Sequence, residues 1–221
     1  MKQKILVFVG APGSGKGTAA KILEKSLGLL HISTGDVLRA NIKEGTELGQ
    51  KAKEYIDDGN FVPDDIIINM AKELIELPEA AEGIIFDGFP RTIFQAKALD
   101  KMLEEKGTGV RAAFSIDVTN EEIEERMANR RTCSECSAIY NLKYSPPKED
   151  GICECGGKLK RRDDERPEVV RDRIAIYEMQ SRPLLDYYDK QGKLYKDRVN
   201  DLAGKTTREI AKEFQEFLTD K

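Results

Sequence analysis

The chain has 221 residues, 39% of them hydrophobic and 34% charged, with a formal net charge of -4. That length and apolar content suit one globular domain with inserts, and the acidic balance argues against a broad basic surface for nucleic acid, leaving room only for a local cluster of arginines. The first apolar run, residues 5–9, stops at Gly10, too short for a signal-peptide core or a membrane span, so a cytoplasmic protein without membrane contact is expected.

In chain order, residues 5–9 are apolar and rich in β-branched side chains. A Gly-rich stretch follows and then a helical pattern over 16–27, which reads as strand, loop and helix. Residues 83–88 and 112–118 read as further buried strands, separated by helical stretches such as 94–106. This alternation predicts a parallel α/β sheet flanked by helices. Thr119-Asn120-Glu121-Glu122 forms a capping box, with Thr119 at the N-cap and Glu122 at N3, opening a helix that runs toward Arg130. Arg126 and Arg130, four apart, are then expected on one helix face, which costs about 0.2–0.5 kcal/mol unless an anion lies between them. From Arg131 to about Arg166, paired cysteines, Pro146-Pro147, glycines and dense charge replace the helical periodicity, and an inserted subdomain is expected. Helical pattern returns at 169–190, a short strand follows at 193–199, and a helix over 206–218 closes the chain. No internal repeat is present.

Gly10-Ala11-Pro12-Gly13-Ser14-Gly15-Lys16-Gly17-Thr18 sits where a strand gives way to a helix. In that context glycines let backbone N–H groups converge on phosphate oxygens, the helix N-terminus adds partial positive charge, and Lys16 can reach the β and γ phosphates. One departure from the general motif matters. Gly17 intervenes where a Ser or Thr usually follows the lysine, so direct Mg2+ ligation by a hydroxyl is not expected. Cys133, Cys136, Cys153 and Cys155 fall in one short stretch, and metal ligation is the first expectation for them in a reducing compartment.

The string GAPGSGKGT, together with His31-Ile32-Ser33-Thr34-Gly35-Asp36 and Phe86-Asp87-Gly88-Phe89-Pro90-Arg91-Thr92, resembles the adenylate kinase family, and the similarity covers nearly the whole chain. The resemblance implies a P-loop NTPase-type core (1–32, 63–128 and 166–221) carrying an AMP-binding insert at 33–62 and a lid at 129–165 that closes over ATP. It implies reversible, Mg2+-dependent transfer of the terminal phosphoryl group of ATP to AMP, giving two ADP, by a monomer. For ATP it implies Gly13, Ser14, Gly15, Lys16, Gly17 and Thr18 around the phosphates, Arg126 on the adenine, Arg130 on the phosphates, and Ile139 and Tyr140 from the lid. For AMP it implies Thr34, Arg39, Asn60, Phe61, Val62, Gly88, Phe89, Pro90, Arg91 and Gln95, with Arg162 and Arg173. Asp87 would hold Mg2+ through water, and Lys16, Asp87, Arg91, Arg130, Arg162 and Arg173 would form the catalytic set.

Several alternatives stay open on the sequence. Arg161 competes with Arg162 for the lid position before the paired acids, and Tyr140 suits packing within the lid as well as contact with ATP. His31, the only histidine, reads as structural. Cys153-Glu154-Cys155 has one residue between its thiols where zinc-bearing lids of the family commonly have two. Free thiols, a disulfide, or a site using only one of that pair therefore compete with the favoured reading of one structural Zn2+ on all four cysteines. A GTP:AMP phosphotransferase, or another nucleoside monophosphate kinase, is the nearest alternative activity, and a P-loop switch or a zinc-ribbon nucleic-acid binder lies further off.

Overall fold

The apolar runs become strands buried on both faces, which is why they read as continuous rather than alternating hydrophobic sequence. The computed structural model describes residues 3–57, 60–198 and 207–219. Strands β1 (Lys4–Val9), β2 (Leu30–Ser33), β3 (Gly83–Asp87), β4 (Val110–Asp117) and β8 (Leu194–Arg198) pair in parallel in the order β2-β3-β1-β4-β8. The edge strand β2 has no counterpart in the sequence expectation. Four residues that include His31 and Ser33 carry little strand signal, and it is pairing with β3 that makes them a strand.

Side-chain alternation along β1 builds a core on each face of the sheet. Ile5 and Val7 pack with α2 (Thr34–Glu44), α4 (Asp64–Ile75), α5 (Ile93–Glu105) and α8 (Pro183–Asp189), through Leu38, Ile67, Leu99 and Leu184. Leu6 and Phe8 pack with α1 (Lys16–Leu27), α6 (Asn120–Ala128), α7 (Pro167–Ile176) and α9 (Thr207–Thr219), through Leu23, Ile123, Val170 and Phe214. Each such burial contributes about 1.5–3 kcal/mol relative to exposure. Helix α3 (Glu47–Asp57) packs on α2. Of the expected bounds, Val199 and Thr206 lie outside the described residues, as do Asp58 and Gly59 of the segment 33–62.

One expectation is corrected. The helix opened by the Thr119 capping box ends at Ala128, so Arg126 and Arg130 do not share a helix face. Asn129 caps α6, its N–H and its Nδ2 both donating to the Glu125 carbonyl, and Arg130 begins strand β5 (Arg130–Cys133). That strand pairs antiparallel with β6 (Ile139–Asn141) and β7 (Leu159–Lys160), and this non-local pairing overrides the helical spacing. The stretch 169–190 is helical as expected, with one interruption in its hydrogen bonding. Pro183 has no N–H to donate, and a π turn over Tyr177–Ser181, with Arg182 N–H donating to the Tyr177 carbonyl, separates α7 from α8.

Strand register decides where polar residues surface. Asp87 ends β3 opposite Phe8 of β1 and Ser33 of β2, so its carboxylate emerges at the carboxyl edge of the sheet beside the loop that follows β1. Ligands of open α/β sheets bind at that edge.

Candidate active site

The loop 10–15 leads into α1 with Gly15 as N-cap and no side chain capping the helix, so the first N–H groups of α1 are left for an anion. Lys16 Nζ donates to the Ala11 carbonyl at 2.7 Å, which holds the ammonium back over the loop. Burial pulls this ammonium down to about 8, while Asp87 pushes the other way. A side chain at position 17 would bring its Cβ to 3.0 Å from Asp87 Oδ2, which explains the glycine that departs from the general motif. His31 Nε2 lies 3.7 Å from Asp87 Oδ2, too long for a hydrogen bond. Burial works against ionisation of Asp87, yet neighbouring His31, Lys16 and Arg91 hold it below the usual carboxylate range.

A cavity of about 930 Å³ opens at this edge, lined by Gly13, Gly15, Lys16, Gly17, Thr18, Asp87, Arg126, Arg130, Ile139, Tyr140, Arg162 and Arg173. A smaller annex beside it is lined by Thr34, Asn60, Phe61, Val62 and Gln95, and Arg39, Gly88, Arg91 and Arg173 border both. Pro90 lines the large cavity. Ser14 is fully buried under the loop, and the Phe89 ring is fully buried in the core against Phe86, so neither side chain faces the cavity. Arg162 lines the cavity; Arg161 instead turns to the Glu165 carbonyl. The Tyr140 hydroxyl approaches Cys153 Sγ at 3.4 Å and accepts from Glu154 N–H, so the ring both packs within the small sheet and borders the cavity.

Carboxylates that the sequence analysis gave no role hold these cations. Glu165 takes Arg130 Nε at 2.5 Å, Asp164 takes Arg173 Nη1 at 2.6 Å, and Asp36 takes Arg39 at 2.5 Å and approaches Arg162 at 3.8 Å. Among the described residues Arg91 has only neutral partners: its Nε donates to the Gly88 carbonyl at 2.8 Å and its guanidinium lies 5.0 Å from the Phe61 ring centre. Burial, then Arg173, brings Arg91 down to about 10; burial, then Arg39, does the same to Arg162. Crowded, desolvated positive charge of this kind marks an anion site.

The family model described as Adenylate kinase matches residues 8–193 of the chain. The chain belongs to the adenylate kinase family. It is 49% identical over 201 residues to an adenylate kinase of Archaeoglobus fulgidus, covering 90% of this chain and 93% of that one. It is 46% identical over 208 residues to an adenylate kinase of Caldicellulosiruptor bescii, covering 94% and 97%. With an adenylate kinase of Acetivibrio thermocellus it shares 47% over 206 residues, covering 93% and 95%.

This adenylate kinase family member brings the sulfurs of Cys133, Cys136, Cys153 and Cys155 within 4.8 Å of one another, with Cys133–Cys155 and Cys136–Cys153 each at 3.5 Å. Four thiolates about 2.3 Å from one tetrahedral metal stand about 3.8 Å apart, so the set fits zinc. The short Cys153-Glu154-Cys155 spacing is accommodated by a tight turn. Gly156 N–H donates to the Cys153 carbonyl and Cys153 N–H to the Gly157 carbonyl, both at 2.8 Å. A Cβ on Gly157 would stand 2.6 Å from Cys133 Sγ, so only glycine lets the turn close on the cluster.

The same charges predict an acid response of the nucleotide-free protein. Against opposing burial, Arg39 holds Asp36, and Arg173 followed by Arg39 holds Asp164, below the usual carboxylate range, as His31 and Lys16 do for Asp87. A carboxyl whose folded pKa is depressed binds fewer protons folded than unfolded, so its contribution is full above the unfolded value of about 3.9 and is lost as pH falls through the lower folded values. Thermal midpoints should therefore drop steeply below about pH 4, and Asp164→Asn should flatten that drop. A variant with the parent's slope would remove Asp164 from the account.

Proposed function

We propose that, in the ATP:AMP phosphotransferase reaction that membership of the adenylate kinase family gives this chain, ATP lies along the loop 10–18 and AMP in the annex, their phosphates meeting among the arginines. The observation that carries this reading is a surplus of partly buried cations. Lys16, Arg39, Arg91, Arg130, Arg162 and Arg173 converge on one cavity, against Asp36, Asp87, Asp164 and Glu165, and the buried Nη2 of Arg130 has no hydrogen-bond partner among the described residues.

Phosphoryl transfer asks little covalent chemistry of a protein and much positioning. The α1 N-terminus and Lys16 hold the β and γ phosphates, Arg126 lies on the ATP adenine, and Ile139 and Tyr140 cover it. Arg39 and Arg91 present planar forks to the AMP phosphate, with Thr34, the 60–62 backbone, Gly88 and Gln95 around its nucleoside. Arg130, Arg162 and Arg173 meet the charge that spreads over the transferring group, where preorganised cations in a water-poor site act most strongly. The AMP phosphate is already ionised at neutral pH, so no general base is needed and His31 is left a structural part.

Mg2+ carried with ATP would supply neutralisation of phosphate charge when bound. Asp87 is the carboxylate fit to hold it through water, being an acceptor-only group set against the Gly17 backbone. The four lid thiols would hold one structural zinc in a closed sulfur shell, without an open position for chemistry. The inserts 33–62 and 129–165 act as AMP clamp and lid, excluding the water that would waste ATP. We place the enzyme in the cytoplasm, where thiolates stay reduced and available to a metal, and take it as a monomer on its resemblance to the family.

A coupled assay of ADP formation tests the reading. ADP should form from ATP only when AMP is present, and ATP should exceed GTP as donor. ADP release at the same rate without AMP would make the protein a hydrolase and overturn it.

A further inference from the structure

Asp64 opens α4 two residues after the cavity-lining segment 60–62 and does not itself line the cavity or its annex. Its two carboxylate oxygens are used separately: Oδ2 accepts from Thr92 Oγ1 at 3.0 Å, and Oδ1 accepts from Gln95 Nε2 at 2.6 Å. Thr92 Oγ1 in turn caps α5 by accepting from Gln95 N–H at 3.1 Å. At the other end of the Gln95 amide, Oε1 accepts from Arg91 N–H at 2.7 Å. Gln95 is 1% exposed, and what remains of its surface borders the annex.

A primary amide has nearly the same shape when turned end for end, so its orientation is decided by what its partners can do. A carboxylate only accepts and a backbone N–H only donates, so a single orientation of Gln95 satisfies both Asp64 and Arg91. Turned over, the amide would set oxygen against carboxylate and NH2 against N–H, leaving buried groups unpaired. We propose that Asp64 is a specificity-determining positioning residue: by pinning the Gln95 amide, it makes the annex accept a 6-aminopurine monophosphate and reject a 6-oxopurine one.

The inference rests on the reading that Gln95 faces the base of the monophosphate. With one N–H given to Asp64 and one lone pair given to Arg91, the amide keeps one donor and one acceptor. Adenine offers a donor at N6 and an acceptor at N1, which match the amide as it is pinned. Hypoxanthine offers an acceptor at O6 and a donor at N1, the reverse order, and only a turned amide would match it. Discrimination therefore depends on how strongly the turn is resisted, and sites built on fixed hydrogen bonds discriminate better than apolar ones. Asp64 supplies the charged half of that resistance from outside the cavity.

The test compares AMP with inosine monophosphate as acceptors, by kcat/KM for ADP formation and by direct calorimetric titration of each monophosphate. Asp64→Asn keeps the size of the side chain but lets it offer either a donor or an acceptor to Gln95. The inosine-to-adenosine ratio of kcat/KM should rise about tenfold or more, as expected for weakening one charged hydrogen bond, with the change carried mainly by KM for the acceptor. The KM for ATP should stay within about twofold. Loss of both acceptors by the same factor, with the ratio unchanged, would overturn the proposal and leave Asp64 as support for the ends of α4 and α5. If Asp64→Asn does not fold, Asp64→Ser is read by the same ratio. Gln95→Ala separates the two layers. A parental ratio in that variant would overturn the base-facing reading itself, whereas a changed ratio there with none in Asp64→Asn would overturn the role of Asp64 alone.

Discussion

Lys16→Ala should lower kcat by about two to three orders of magnitude, the usual cost of deleting one preorganised charge at the site where transition-state charge develops. The same variant should fold as well as the parent, and its thermal midpoint at neutral pH should hold or rise. Both halves follow from one fact. Lys16 is partly buried beside the α1 N-terminus, in a cavity that also holds Arg91, Arg130 and Arg173, and desolvation brings its pKa down to about 8. A base whose folded pKa lies below its unfolded value binds fewer protons folded than unfolded. It therefore costs stability in full below about 8, and the cost fades as pH rises toward the unfolded lysine value. Removing the group relieves that cost in the empty enzyme while removing the cation that phosphates need. Turnover within tenfold of the parent, or a fall in the midpoint matching the loss of activity, would refute the assignment.

Removing zinc should have the second largest effect. Within 130–160 the buried side chains are Cys133 and Cys153, with Gly157 the one other buried residue, so the antiparallel ribbon has no hydrophobic core beyond the sulfur cluster. A subdomain of that size needs a staple, and structural zinc supplies folding energy on the order of 10 kcal/mol in small metallo-domains. Protein purified without chelator should carry about one zinc per chain. Cys153→Ser should then separate thermal unfolding into two transitions, the lid melting first while the parallel sheet persists. Activity should fall with the lid, because Arg130 begins its central strand and Arg162 follows its last one. Four titratable thiols and no metal in the native protein would defeat the proposal.

Local chemistry determined much of this protein. Continuous apolar runs at β1, β3 and β4, the glycine string before Lys16, and the Thr119 capping box each specify their structure within a few residues, and each appears as expected. The four cysteines, close in sequence, also gather in the fold, two of them buried and two exposed.

Tertiary structure alone decided the rest. Arg130 left the helix for a strand because Ile139–Asn141 and Leu159–Lys160 pair with it from farther along the chain. The edge strand at Leu30–Ser33 exists because β3 lies beside it. That Arg162 and not Arg161 lines the cavity depends on how the turn over Asp163–Glu165 aims two adjacent guanidinium groups. Asp64, Asp164 and Glu165 look like ordinary surface carboxylates in sequence. What distinguishes them is a partner nine to 35 residues away, at a distance that only the folded chain defines. Spacing along one element reports which face a residue shares, whereas a hydrogen bond between elements depends on how both are packed, and no local periodicity carries that information.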